Sequence, residues 1–191
     1  SGSSVKFIAT ATIGYDHIDT DYCRDADIGW TNAPGCNSGS VEQYIASALV
    51  TYAQTKNLSF KNLCIGVVGV GNVGSKVARL CRLLGMKVLQ NDPPRARTED
   101  PSAFVSLEHI MAEADIISLH VPLNLYGDDA TYHLADAGFF SGLKRNPLLI
   151  NTCRGEVVNT SAIKTALAQG LVTEYICDCW EQEPDIDLEL L

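Results

Sequence analysis

The stretch Leu63-Cys64-Ile65-Gly66-Val67-Val68-Gly69-Val70-Gly71-Asn72-Val73-Gly74 decides the fold. Leu63–Val70 is an apolar run rich in Val and Ile, the pattern of a strand buried on both faces. It breaks into G-x-G-x-x-G. From there apolar residues recur at helical spacing (Val73, Val77, Leu80, Leu84) until Gly85 closes the segment as a C-cap. In such a turn Gly69 makes the tight bend, Gly71 lets backbone approach a pyrophosphate, and Gly74 lets helix and strand pack closely. Asn72 and Val73 complete the turn and lead into the helix N-terminus, whose unpaired N–H groups and dipole favour an anion. Asp92 ends the next expected strand, Lys87–Asn91. A carboxylate there accepts ribose hydroxyls and repels a 2′-phosphate, which favours NAD over NADP, with Arg95 nearby as an opposing charge.

Outward from this stretch the pattern alternates. Helices are expected at Leu107–Ala114, Asp136–Leu143 (with Asp136 as its cap) and Thr160–Ala168, and strands at Ile116–Leu119, Leu148–Asn151 and Val172–Cys177. Strand–helix alternation at this period gives an α/β fold, a Rossmann-type doubly wound parallel sheet. Before residue 63 the rhythm is weaker. Val5–Ala9 and Gly29–Thr31 read as short strands. Ser40–Ala53 reads as an amphipathic helix with Val41, Tyr44, Ile45, Ala48 and Leu49 on one face. Tyr126–Ala130 is a polar loop insertion.

Composition excludes several classes. The chain carries 14 Lys+Arg against 23 Asp+Glu, a net charge of −9, which argues against nucleic acid or an anionic membrane as the main partner. It does not oppose a small anion held by a local Arg. No apolar stretch reaches the ~18 residues of a membrane span, and the opening Ser1-Gly2-Ser3-Ser4 lacks the regions of a signal peptide. The seven cysteines are odd in number, form no Cys-x-x-Cys and sit mostly in apolar runs. That is the usage of reduced, packed thiols and points to the cytoplasm. Cys177-Asp178-Cys179 has no partner pair for zinc, so no metal is expected.

The candidates for chemistry stand at strand ends. Asn151-Thr152-Cys153-Arg154-Gly155 closes one parallel strand, and ligands bind at the carboxyl ends of such strands. An Arg there can hold a carboxylate through two hydrogen bonds and polarise an adjacent carbonyl. A surface Arg paired with a nearby acid is the plain alternative. Asp178, at the end of the next strand, can accept from a nicotinamide amide. Glu183, held extended before Pro184, can orient a histidine and raise its pKa. The competing reading makes Glu181, Glu183, Asp185 and Asp187 a solvated acidic tail.

Gly69–Gly74, Asp92, Asn151–Gly155 and Asp178–Pro184 together resemble the D-isomer-specific 2-hydroxyacid dehydrogenases, over essentially the whole chain. Four further stretches (Thr10–His17, Ala33–Asn37, Asn91–Arg95 and His133–Asp136) resemble one member enzyme within that family. The resemblance implies an NAD-dependent oxidoreductase acting on a small phosphorylated 2-hydroxy acid. It implies Arg154 as catalytic arginine and substrate contact, Glu183 as catalytic glutamate, and Asp92 and Asp178 as NAD-binding acids. Thr152 and Cys153 would lie along the nicotinamide, and Thr12 would touch substrate. Val121 falls where some members carry Thr beside the cofactor and offers only backbone and packing.

By the same resemblance, 1–37 is the end of a flavodoxin-like substrate domain and 38–191 an NAD-binding domain entered by a crossover helix at 38–56. The full protein is expected to be a homodimer. The family's catalytic histidine lies in a Ser/Thr-His-x-(Ala/Gly)-Gly segment beyond the Glu-Pro pair. His17, His109, His120 and His133 do not match it. The chain opens without Met and stops at Leu190-Leu191, so it reads as cut before that segment and the dimerisation segment. The fragment is expected to bind NAD with little turnover. A different substrate, such as 3-phosphoglycerate, and a non-catalytic NAD-sensing domain remain as alternatives.

Overall fold

The computed structural model describes residues 4–15 and 17–190; Ser1-Gly2-Ser3, Asp16 of the Thr10–His17 stretch, and Leu191 lie outside the described residues. At the start, strands β1 (Phe7–Ala9) and β2 (Gly29–Thr31) pair in parallel as a sheet of their own, joined through helix α1 (Thr20–Asp25). The sequence pattern missed α1. Its start is set by Asp19, whose carboxylate accepts the Tyr22 N–H.

Helix α2 (Ser38–Thr55) then leads to the main sheet. That sheet is parallel throughout, in the order β4 (Lys87–Asn91), β3 (Cys64–Val68), β5 (Ile116–Leu119), β6 (Leu148–Asn151), β7 (Glu174–Cys177). The crossings run through α3 (Gly74–Leu83), the short α4 (Pro93–Ala96) and α5 (Leu107–Glu113), α6 (Ala137–Gly142), and α7 (Thr160–Ala168). Helices α2 and α3 pack Ile45, Leu49, Val77 and Cys81 onto Ile65, Val67, Ile116 and Ile150. On the other face α5, α6 and α7 pack Ile110, Phe139, Phe140 and Ile163 onto Val68, Ile117, Leu119 and Leu149. Each fully buried aliphatic of this kind contributes about 1.5–3 kcal/mol. Coverage on both faces is why β3, β5 and β6 read as unbroken apolar runs rather than alternating ones.

Three details depart from expectation. The buried stripe of α2 is Ile45, Leu49 and Ala53, while Tyr44 is 39% exposed. The sheet takes the i, i+4, i+8 line and leaves the neighbouring line at the rim. The last strand begins at Glu174, because Val172 turns into the core and the Thr173 N–H donates to the Pro147 carbonyl. Finally, Asp92 caps a helix the pattern did not show: its Oδ1 accepts the Arg95 N–H, with Pro93 opening α4. No helix among the described residues is long and apolar enough to cross a membrane.

Candidate active site

The strand order turns between β3 and β5, and a crevice opens at their carboxyl ends. Gly69 follows β3 with φ +83°, and a Cβ there would lie 2.6 Å from the His120 carbonyl oxygen, so the turn and the end of β5 meet without room for a side chain. A Cβ at Gly74 would sit 1.9 Å from the Gly69 oxygen, so the first turn of α3 packs directly on the loop. Gly71 has nothing within 4 Å of its Cβ position. The loop is therefore tight below and open above.

Beside it lies a cleft of about 380 Å³ whose lining includes Gly69, Asp92, Pro93, Val121, Pro122 and Thr131. The Asp92 carboxylate is fixed from two sides, Oδ2 accepting the Val70 N–H at 2.8 Å and Oδ1 the Arg95 N–H at 3.1 Å. Each oxygen keeps a further lone pair for a ligand hydroxyl. The Asn72 side chain packs on Gly35. That contact joins the glycine loop to the turn after β2, which in turn holds the Thr12 loop, since the Ala33 N–H donates to the Thr12 carbonyl. The Thr12 hydroxyl itself donates to the Gly14 carbonyl at 2.7 Å.

The second group of candidates gathers at the ends of β6 and β7. Asn151 shapes the first loop: its Oδ1 accepts the Cys153 N–H, and its Nδ2 donates to the Arg154 carbonyl at 2.9 Å. Arg154 Nη1 donates to the Cys153 carbonyl at 2.7 Å. Burial pushes the Cys153 thiol up to about 11, so it stays protonated at neutral pH. The Thr152 hydroxyl is the one buried side-chain N or O atom among the described residues with no hydrogen-bond partner. Leaving such a group unpaired costs about 1–3 kcal/mol, which a ligand's polar atom would relieve.

Asp178 continues from β7, its N–H donating to the Asn151 carbonyl, with its side chain exposed. Glu183 Oε1 accepts the Trp180 N–H at 2.7 Å. Gly155 brings the two loops together, because a Cβ there would fall 2.0 Å from the Trp180 carbonyl.

The acidic-tail reading fails at two of its residues. Glu181 takes His133 Nε2 at 2.6 Å and the Thr160 N–H at 2.8 Å. Burial alone would raise its pKa, but these bonds outweigh that and hold it below the usual carboxylate range. Asp187 pairs with Lys164 on α7 at 2.7 Å. The Trp180–Pro184 loop is thereby pinned to α7 and to the segment before α6.

Comparison with known proteins gives the family. The family described as "D-isomer specific 2-hydroxyacid dehydrogenase, NAD binding domain" matches residues 40–191. The chain belongs to the D-isomer-specific 2-hydroxyacid dehydrogenases. It is 56% identical over 191 residues to an erythronate-4-phosphate dehydrogenase of Bacteroides fragilis, covering all of this chain and 55% of that one. Among solved structures, a D-lactate dehydrogenase from Aquifex aeolicus complexed with NAD and lactic acid superposes with TM-score 0.78 at 32% identity, over 93% of this chain and 59% of that one. An NAD-dependent formate dehydrogenase from Staphylococcus aureus in complex with NAD gives 0.79 at 27%, over 94% and 59%. The chain thus spans about half the length of the curated relatives it matches.

NAD is the cofactor of this 2-hydroxyacid dehydrogenase domain. The residues present fit it, with open space over Gly71, the fixed Asp92 carboxylate on a cleft, and the orphaned Thr152 hydroxyl at a strand end.

Sequence reasoning did not assign His120. Its Nε2 lies 2.9 Å from Ser118 Oγ, and burial pushes its pKa from the ordinary 6.5 down to about 4. The unfolded chain takes up this proton near pH 6.5 and the folded one only near pH 4. Stability is therefore intact above pH 6.5 and falls as the pH drops toward 4, by about 2–3 kcal/mol. Denaturant unfolding at pH 7.5 and 4.5 is expected to show this loss in the wild type and a smaller one in His120→Asn. Equal losses would show that another group carries it.

Proposed function

We propose that the full-length protein oxidises 4-phospho-D-erythronate at C2 to the 2-oxo acid with NAD+, a step toward pyridoxal 5′-phosphate. The 56% identity over the whole chain to a relative named for this substrate carries the reading. The meeting of the Arg154 and Glu183 loops across Gly155 supports it.

In this reading Gly69, Gly71, Asn72, Val73 and Gly74 form the pyrophosphate loop, and Asp92 accepts the adenosine ribose hydroxyls. Val121 packs beside the cofactor, and Thr152, Cys153 and Asp178 face the nicotinamide end. The bound cofactor supplies the hydride acceptor. Arg154 holds the substrate carboxylate and stabilises the carbonyl oxygen as it forms, with Thr12 as a further substrate contact. Glu183 orients the proton-accepting histidine, which the family resemblance places in the remaining length of the protein. Residues 1–37 are the end of a flavodoxin-like substrate domain, and the whole protein is a cytoplasmic homodimer; the unpaired state of all seven cysteines supports the compartment.

Initial rates of NAD+ reduction by the full-length protein test this. Turnover of 4-phosphoerythronate is expected to exceed that of 3-phosphoglycerate by at least about 10²-fold, the discrimination available to a site whose polar groups match one substrate. Comparable rates would reassign the substrate. No turnover of either, with NAD+ binding intact, would favour a sensing domain.

A further inference from the structure

Asp92 and Asp129 both line the cleft, and each lies next to an arginine that is already engaged. The Asp92 carboxylate takes the N–H of Val70, and the Arg95 guanidinium takes the carbonyl of the same residue, Nη1 donating to Val70 O. Arg95 therefore stands where a phosphate on the 2′-hydroxyl beside Asp92 would find it. It is not available to one. Its Nε and Nη2 grip both oxygens of Glu99, one turn on, each at 2.7 Å, and its guanidinium lies 5.4 Å over the Phe104 ring. A second arginine is committed in the same way. Arg97 donates through Nη1 and Nη2 to both oxygens of Asp129, in the loop that lines the other side of the cleft. Both pairs are partly exposed, and their bidentate geometry is what makes such pairs count at a surface.

We propose that Glu99 and Asp129 are cofactor-specificity residues: by occupying the Arg95 and Arg97 guanidiniums they deny them to a 2′-phosphate, so Asp92 is only the first of two barriers to NADP+. The proposal rests on the reading of Asp92 as the ribose acid. Removing Asp92 alone takes away the repulsion but leaves both arginines neutralised. Freeing them supplies two planar forks that suit a phosphate.

The test is equilibrium binding of NAD+ and NADP+ to the full-length protein. Asp92→Ser is expected to weaken NAD+ and to leave NADP+ weak. Adding Glu99→Gln and Asp129→Asn is expected to tighten NADP+ by about tenfold or more over Asp92→Ser, the effect of a charge-assisted hydrogen bond gained. Arg95→Leu together with Arg97→Leu in that background should erase the gain, and a gain that survives both would overturn the proposal. NADP+ binding as tight in Asp92→Ser as in the triple variant would overturn the proposal. Unchanged NAD+ binding in Asp92→Ser would instead remove the ribose reading beneath it. If the triple variant does not fold, Glu99→Gln/Asp129→Asn with Asp92 intact is titrated with 2′,5′-ADP. Tighter binding than wild type supports the proposal and equal binding overturns it.

Discussion

Gly74→Ala is expected to abolish NAD+ binding and to lower folding stability by about 3 kcal/mol, the upper part of the usual range for overpacking. The added methyl would stand 1.9 Å from the Gly69 carbonyl oxygen and 3.3 Å from the Val67 side chain. Neither can give way cheaply. Gly69 is itself wedged against the His120 carbonyl, and Val67 is fully buried. Relief requires α3 to move off the sheet, which takes its N-terminus away from the cofactor loop. Gly71→Ala provides the contrast. Its methyl meets nothing within 4 Å, so the melting temperature is expected to stay near wild type. On the proposed reading NAD+ binding should nevertheless weaken, because the methyl fills the space assigned to the pyrophosphate. Calorimetric titration and thermal melting of both variants check this. Equal NAD+ affinity in Gly71→Ala and wild type would place the pyrophosphate elsewhere.

Arg154→Ala is expected to lower kcat/KM of the full-length enzyme by about 10³-fold, near 4 kcal/mol of transition-state stabilisation, as when a charged donor to a developing oxyanion is removed. The side chain leaves a loop fixed by other groups, Asn151 beneath it and Gly155 against Trp180. The fold and NAD+ affinity should therefore hold. Arg154→Lys keeps the charge without the planar fork and is expected to recover only part of the loss. Steady-state kinetics with a parallel NAD+ titration separates the effects. A variant that loses NAD+ binding in proportion to activity would show that Arg154 supports the cofactor and not the substrate.

The sheet was legible because its signals are local. A strand buried on both faces has no polar alternation to disguise it, and the spacing of Val73, Val77, Leu80 and Leu84 needs no knowledge of the partner surface. The short helices α1 and α4 escaped because a single turn leaves no periodicity to read. In α4 the Asp-Pro-Pro opening also looks like loop, although Asp92 as N-cap and Pro93 at the first helical position are a helix start. The Arg95–Glu99 pair could have been read from its i, i+4 spacing once α4 was known. The Arg97–Asp129 and His133–Glu181 pairs could not, since their partners lie 32 and 48 residues apart.

By itself, the sequence determined the parallel α/β sheet, the glycine loop, the acid after the second strand of that sheet, and the residue types at the ends of the last two strands. All of these depend on contacts within a few residues or on one repeating period. Only the tertiary structure decided which acids do structural work. Glu181 and Asp187 are anchors and Glu183 stands exposed in the same loop, a difference set by which distant side chains reach them. The tertiary structure also decided how Asp92 is held. Its carboxylate and the Arg95 guanidinium grip the same residue, Val70, because the turn after β3 and the start of α4 are folded against each other. Charges near in sequence and alike in composition acquire separate roles because hydrogen-bond geometry, unlike periodicity, is settled by long-range packing.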